Sequence, residues 1–121
     1  MAKAKKDGIQ DRLAKYQLIQ LNVVGRKTGR TVSIPVWFVF EDQKLYLLPV
    51  HGSDTQWYLN ILKNPSIRVD ARGEEGEFRT TALKQPKSVE SVISKFREKY
   101  GAGEVKKYYS KFDVAVLAEA V

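Results

Sequence analysis

The chain of 121 residues contains no cysteine and a single histidine, His51. Without cysteine there is no disulfide framework, no thiolate metal site and no sulfur nucleophile. One histidine cannot build a multi-histidine metal centre or a cysteine–histidine pair. Its two open readings are a plain surface residue beside Gly52 and a hydrogen-bond donor at a ligand edge. No stretch approaches the roughly 20 consecutive apolar residues of a membrane helix. The basic start, Met1 to Lys6, lacks the apolar region of a signal peptide, so the expected location is cytoplasmic. No carboxylate pair suggests acid–base catalysis, because Glu74, Glu75 and Glu77 cluster at a turn where solvation accounts for them. No internal repeat or low-complexity stretch interrupts the chain. Residues 1–121 are therefore expected to form one domain, with residues 1–8 a frayed basic terminus.

What is present is 43% apolar and 11% aromatic residues, enough for a folded core, and a net charge of +7. The excess lies in the first quarter, where Lys3, Lys5, Lys6, Arg12, Lys15, Arg26, Lys27 and Arg30 face only Asp7 and Asp11. Such a balance admits nucleic acid, an anionic membrane or a small anionic ligand as partner. Three of the cations sit in Gly25-Arg26-Lys27-Thr28-Gly29-Arg30, between the extended runs Leu18–Val24 and Thr31–Phe40. Glycine lets a ligand come close to the backbone, and the cations, the Thr28 hydroxyl and free N–H groups suit a phosphate. The glycine spacing is neither a Walker A nor a Rossmann fingerprint, and a strand rather than a helix follows. Composition leaves both an anion site and a solvated turn open.

Thr31 to Phe40 reads as one strand. Val32, Ile34, Val36, Phe38 and Phe40 share one face, and Thr31, Ser33, Pro35, Trp37 and Val39 the other. A hairpin at Asp42-Gln43 leads to a third strand, Lys44–Val50. If the two strands pair, Pro49-Val50-His51-Gly52 lands beside Trp37, where a pocket can form. Ser53-Asp54-Thr55 offers N-caps for a helix over 56–62, ended by Lys63-Asn64-Pro65. Trp57, Tyr58 and Asn60 on it read first as core plus cap. Strands follow over 66–71 and 77–83 around an acidic tip, then a helix over 88–100 capped by Ser88, a further turn or two over 104–111, and a strand over 113–118. A short helix is expected over 7–17. The sum is a mainly β fold with α elements: about six antiparallel strands in a small, partly open barrel, one helix between strands three and four and a C-terminal one.

Three motifs in order carry a resemblance. Gly-Arg-Lys-Thr-Gly (25–29), Pro-Val (35–36) and Trp-Tyr-Leu-Asn-Ile-Leu-Lys-Asn-Pro (57–65) resemble the deazaflavin-dependent nitroreductase family. That family belongs to the split β-barrel flavin-binding proteins, similar in fold to pyridoxamine 5'-phosphate oxidase. The likeness runs from about Leu18 to Gly73, and more loosely through the C-terminal helix and strand. It implies an oxidoreductase that passes a hydride from reduced coenzyme F-420 to a small electrophilic acceptor of the quinone, enone or nitro class. Arg26, Lys27 and Thr28 would hold the phosphate and reach the coenzyme's acidic tail. Pro35, Val36 and Trp37 would line the ring; Pro49, Val50, His51 and Gly52 would serve the ring and ribityl-phosphate; Trp57 and Asn60 would fix the helix against the site. Tyr100, Tyr108 and Tyr109 would be candidate acceptor contacts. The likeness further implies a homodimer acting on a small molecule, with no nucleic acid partner and no membrane span.

Two departures stand out. Val32 occupies a position where the family pattern commonly has arginine, and the segment from His51 to Trp57 is shorter than usual. They keep FMN open as the coenzyme, with turnover or in a flavin carrier without it. A basic anion- or nucleic-acid-binding barrel is the alternative from another class.

Overall fold

The computed structural model describes Leu13 and residues 16–121. The helix expected over 7–17 falls outside these residues except at Leu13, which is helical and buried, and at Tyr16 and Gln17, which are not helical. Seven strands make one sheet: β1 (Ile19–Val24), β2 (Thr31–Val36), β3 (Val39–Glu41), β4 (Lys44–Leu47), β5 (Ser66–Ala71), β6 (Glu74–Leu83) and β7 (Ala115–Ala120). Helix α1 (Gln56–Lys63) lies between β4 and β5, preceded by a 3-10 turn at Gly52–Asp54. Helices α2 (Pro86–Tyr100) and α3 (Ala102–Tyr108) precede β7.

All pairings in the sheet are antiparallel, in the order β2-β1-β5-β6-β7-β4-β3. The two edges, β2 and β3, are consecutive in the chain and joined only by Trp37 and Phe38. Three Cα steps of about 3.8 Å bridge Val36 to Val39, so the edge strands meet there within about 11 Å. The sheet has to curl until its edges nearly touch. The expected barrel is therefore present, split along one seam.

This divides the single strand expected over 31–40 in two, so that the expected total of about six strands is seven. Alternation runs unbroken through the break: Ile34, Val36, Phe38 and Phe40 pack against the barrel interior, Trp37 and Val39 against the outer cluster. What divides the run is pairing, since β2 bonds to β1 while β3 bonds to β4. Asp42 and Gln43 form the β3–β4 turn with φ of 53° and 63°. Positive φ at both central residues gives a hairpin turn whose twist matches that of the strands.

Alternation also explains the two-layer core. Ile19, Leu21 and Val23 of β1, Ile67, Val69 and Ala71 of β5, Phe78 of β6 and Val116 and Ala118 of β7 fill the barrel, plugged by Trp57, Tyr58 and Ile61 of α1. Outside, Val89, Val92, Ile93 and Phe96 of α2 and Val105 of α3 cover Val39 and Ala115. The first half of β7 is thus covered on both faces, by Ala115 towards the helices and Val116 and Ala118 towards the barrel. Helix α2 starts at Pro86 with Gln85 in the N-cap position, not at Ser88; proline's fixed φ suits a first helical residue. Strand β6 starts at Glu74, three residues before the expected 77, because the turn is made by Arg72 and Gly73 alone.

At the seam the backbone of Phe38 has no strand partner, and α2 supplies one. The Tyr100 hydroxyl accepts from the Phe38 amide at 3.0 Å and lies 2.8 Å from the Phe38 carbonyl and 2.7 Å from that of Gln17. Lys99 Nζ donates to the carbonyls of Phe38 at 2.8 Å and Tyr16 at 3.1 Å. Replacing Tyr100 with Phe leaves the Phe38 amide unpaired in a half-buried position. The expected loss is about 1–3 kcal/mol, read as a lowered urea midpoint at unchanged slope; an unaltered midpoint would show that the seam does not depend on this hydroxyl.

Candidate functional site

A cleft of about 510 Å³ opens where the seam meets α1 and α3. One wall is the end of β2 with Ile34, Pro35, Val36 and Trp37. The opposite side is Leu48, Val50, Thr55 and Trp57, and the rim is Leu18, Tyr108 and Tyr109. Nearly every lining side chain is apolar or aromatic, a surface suited to a flat ring system. Trp37 is fixed from behind by Tyr100, stacked at 4.2 Å with the planes 5° apart, and touched edge-on by Tyr108 at 5.4 Å. Of the residues expected at the site, Pro35, Val36, Trp37, Val50, Trp57, Tyr108 and Tyr109 line the cleft. Tyr100 stands behind the wall, with its hydroxyl committed to the seam.

The Gly25–Arg30 loop sits at the other end of β2 and is a compact turn. Gly25 N donates to Arg30 O at 2.8 Å and Gly29 N to Gly25 O at 2.9 Å, with Gly29 at φ 74°. Thr28 Oγ1 accepts from the Arg30 amide at 3.2 Å. Arg26 reaches α1: Nη1 donates to Asn60 Oδ1 at 2.7 Å and Nη2 to Gln56 Oε1 at 2.9 Å. Helix α1 therefore joins loop and cleft, holding the loop through Gln56 and Asn60 while Trp57, and Thr55 at its N-cap, line the cleft. The side chains of Lys27 and Arg30, and the amides of Lys27 and Thr28, have no partner among the described residues. Val32, one of the two departures noted in the sequence, is exposed.

Pro49, His51 and Gly52 lie beside the cleft rather than in its lining. His51 Nδ1 is 2.8 Å from Ser110 Oγ, and the Thr55 hydroxyl accepts from the His51 amide at 2.8 Å instead of capping α1. Gly52 has φ 55°, and a Cβ there would run into the Asp113 carboxylate and Lys111. Asp113 accepts from the Ser53 amide at 2.9 Å and from its hydroxyl; Lys111 pairs with Asp54 at 3.1 Å. These contacts tie the segment after β4 to the segment after α3, and so hold the two sides of the rim together. Burial would raise the Asp113 carboxyl, but the two Ser53 hydrogen bonds and the Lys111 charge bring it below the usual carboxylate range. Sequence reading missed Gln56, Lys99, Ser110, Lys111 and Asp113. Apart from the Lys111–Asp113 pair, their partners lie 30 to 83 residues away in the chain, a separation that no local pattern signals.

A second hollow, of about 540 Å³, lies on the outer face of β1, β5 and β6 and holds no expected site residue. Its cation, Arg68, faces Glu75 at 3.9 Å and Glu77 at 3.6 Å, and with Asp70 also present carboxylates prevail. That balance repels an anion, so the smaller, apolar cleft is the candidate site. Among the described residues no group of three or more His, Asp or Glu could hold a metal ion, and no helix is long and apolar enough to cross a membrane.

The family model described as F420H(2)-dependent quinone reductase matches residues 1–117. No curated protein matches the chain. Among solved structures, an F420-H2 dependent reductase (FDR-A) is 19% identical with a TM-score of 0.66, covering 85% of this chain and 94% of that one. A protein described as a domain-swapped dimer is 16% identical with a TM-score of 0.68, covering 98% of each chain. The heme storage protein HutZ from Vibrio cholerae is 14% identical with a TM-score of 0.71, covering 96% and 89%. At these identities the solved structures share the split-barrel fold.

Titration follows from the packing around the seam and cleft. Burial lowers Lys99 from 10.5 to about 8, although two carbonyls and the Phe38 ring, 3.8 Å from Nζ, favour its charged form. Burial raises Tyr100 to about 12, and raises Tyr109 further with the Tyr100 charge adding to it. Above pH 8 the folded state releases the Lys99 proton while the unfolded chain keeps it to 10.5, so stability rises with pH. Above pH 10 the sign reverses, because folded Tyr100 and Tyr109 keep protons that the unfolded chain loses. Chemical denaturation is expected to show stability climbing from about pH 8 towards pH 10, and Lys99→Met is expected to flatten the climb. A climb that persists in the variant would assign it elsewhere.

Proposed function

Because the chain belongs to the F420H(2)-dependent quinone reductase family, and is thereby an F-420-dependent oxidoreductase, we propose that its cleft seats the coenzyme ring and an acceptor of the quinone class. The observation that carries this reading is the pairing of two surfaces on one helix. Helix α1 and its N-cap contribute Trp57 and Thr55 to a cleft of flat apolar walls, and α1 holds, through Gln56 and Asn60, a loop whose Lys27 and Arg30 have no partner among the described residues and can meet an anion. Pro35, Val36 and Trp37 would hold the ring, and the loop would hold the phosphate. Val50 backs the ring; Pro49, His51 and Gly52 shape the rim that carries it. FMN is the competing occupant. A homodimer and a cytoplasmic location belong to the same proposal.

When bound in its reduced form, the coenzyme supplies a hydride, two electrons with one proton. The chain's own work is to bind, orient and stabilise charge. An apolar cleft excludes water from the transfer and strengthens each polar contact made inside it. As the acceptor takes the hydride, negative charge develops on its oxygen. Tyr109 is 5% exposed, lines the cleft, and its hydroxyl has no partner among the described residues. Burial keeps that phenol neutral. It can therefore donate a hydrogen bond to the charged oxygen. A proton from water at the mouth completes the reduction, and the acceptor leaves as the hydroquinone. Tyr108, half exposed at the rim, covers the acceptor.

Fluorescence titration is expected to show F-420 binding below millimolar dissociation constants, with FMN weaker. Lys27→Ala is expected to weaken binding about tenfold, the loss of one hydrogen bond to a charged group, at unchanged thermal midpoint. Tighter FMN binding would overturn the coenzyme assignment; full affinity in the variant would make the loop a plain turn. Tyr109→Phe is expected to lower kcat about a hundredfold while leaving the dissociation constant of F-420 in place. Wild-type turnover in that variant would remove the phenol from the mechanism.

A further inference from the structure

The three cations of the loop are not equivalent. Lys27 and Arg30 are exposed and unpartnered among the described residues. Arg26 is engaged on both arms of its fork, by Asn60 Oδ1 at 2.7 Å and Gln56 Oε1 at 2.9 Å, with Gln56 O a further 3.5 Å from Nη1. Its own amide donates to the same Asn60 oxygen at 3.1 Å. One buried amide oxygen thus accepts from the main chain and the side chain of a single residue. Gln56 and Asn60 are four residues apart on α1, hence on one face. That arrangement fixes the loop backbone to the helix, and the neighbouring Thr55 and Trp57 reach the cleft.

We infer that Arg26 is a positioning residue rather than a phosphate ligand. Through Asn60 and Gln56 it sets the loop at a fixed offset from the cleft, so that an anion held by Lys27 and Arg30 and a ring seated beside Trp37 and Trp57 stay in register. This rests on the reading of the cleft as the F-420 site. It reassigns the first cation of the loop from contact with the ligand to control of the distance between the two ends of the site. Lysine cannot replace it, because a single ammonium does not span two acceptors in a planar fork.

The test compares wild type with Arg26→Gln, Arg26→Lys, Asn60→Ala, Lys27→Ala and the pairs among them, using F-420 as probe. Arg26→Gln and Asn60→Ala are each expected to weaken binding about tenfold, and the double variant no more than the worse single one. Lys27→Ala combined with either is expected to cost less than the product of the two losses, because Lys27 binds from the loop that Arg26 and Asn60 place. Arg26→Lys should match Arg26→Gln. In steady state Lys27→Ala should raise the coenzyme KM more than it lowers kcat, while Arg26→Gln and Asn60→Ala should lower kcat as well, because a displaced ring is out of line with the acceptor. Multiplying losses for Arg26→Gln and Asn60→Ala, or full affinity in both Arg26→Lys and Asn60→Ala, would overturn the inference. A wild-type protein that binds no F-420 would overturn the functional reading instead. The clamp would then be decided by urea unfolding of the same proteins: non-additive midpoints for Arg26→Gln and Asn60→Ala uphold it, and additive ones refute it.

Discussion

The structure depends on how the chain crosses from one edge of its sheet to the other. A backbone that leaves one strand and enters another at the far edge presents polar groups to a seam where no ladder exists, and unpaired groups there are costly. Tyr100 meets this need with one hydroxyl placed against both the amide and the carbonyl of Phe38, and Lys99 adds a second donor to that carbonyl. The same contact secures the lead into β1, because the two side chains also hold the carbonyls of Tyr16 and Gln17. Barrel closure, the docking of α2 and the start of β1 are therefore one event. The cleft inherits its rigidity from it, since the ring of Tyr100 is the backing on which Trp37 is stacked.

Much of this was legible in the residues. The alternation of β1, β5 and β6, the α1 stop at Asn64-Pro65 and the four-residue spacing of Val92, Phe96 and Tyr100 describe local periods, and local periods survive folding. The break at Trp37-Phe38 was not legible, because the inward and outward positions continue across it without a slip. Only the choice of partner strand changes, and partner choice is a property of the whole sheet. The aromatic cleft was readable in its members: Pro35 and Trp37 share one face of the run 31–40, and a hairpin would bring Val50, at the end of the next strand, beside them. Ser88 misled as a cap because Pro86 starts the helix a half-turn earlier.

The polar half of the site was less readable for a different reason. A sequence shows which cations are present but not which of them is already occupied. Arg26, Lys27 and Arg30 look alike as a cluster, yet one is held by α1 and two face solvent. Asp113 is similar: its value lies in seating beside Gly52 and in accepting from Ser53, 60 residues away. Val32, exposed just beyond the loop, adds no further cation to it.

Trp37 and Phe38 are adjacent residues whose rings point to opposite sides, one into the cleft and one into the barrel core, where Phe38 is fully buried. The tryptophan wall cannot yield to a bulkier guest without dragging its neighbour out of close packing. Accommodation must fall to the rim instead, where Leu18 and Tyr108 are half exposed. On the proposed reading of the cleft, divergence in acceptor preference among such barrels should then accumulate at those two outer positions, while the inner wall stays constant.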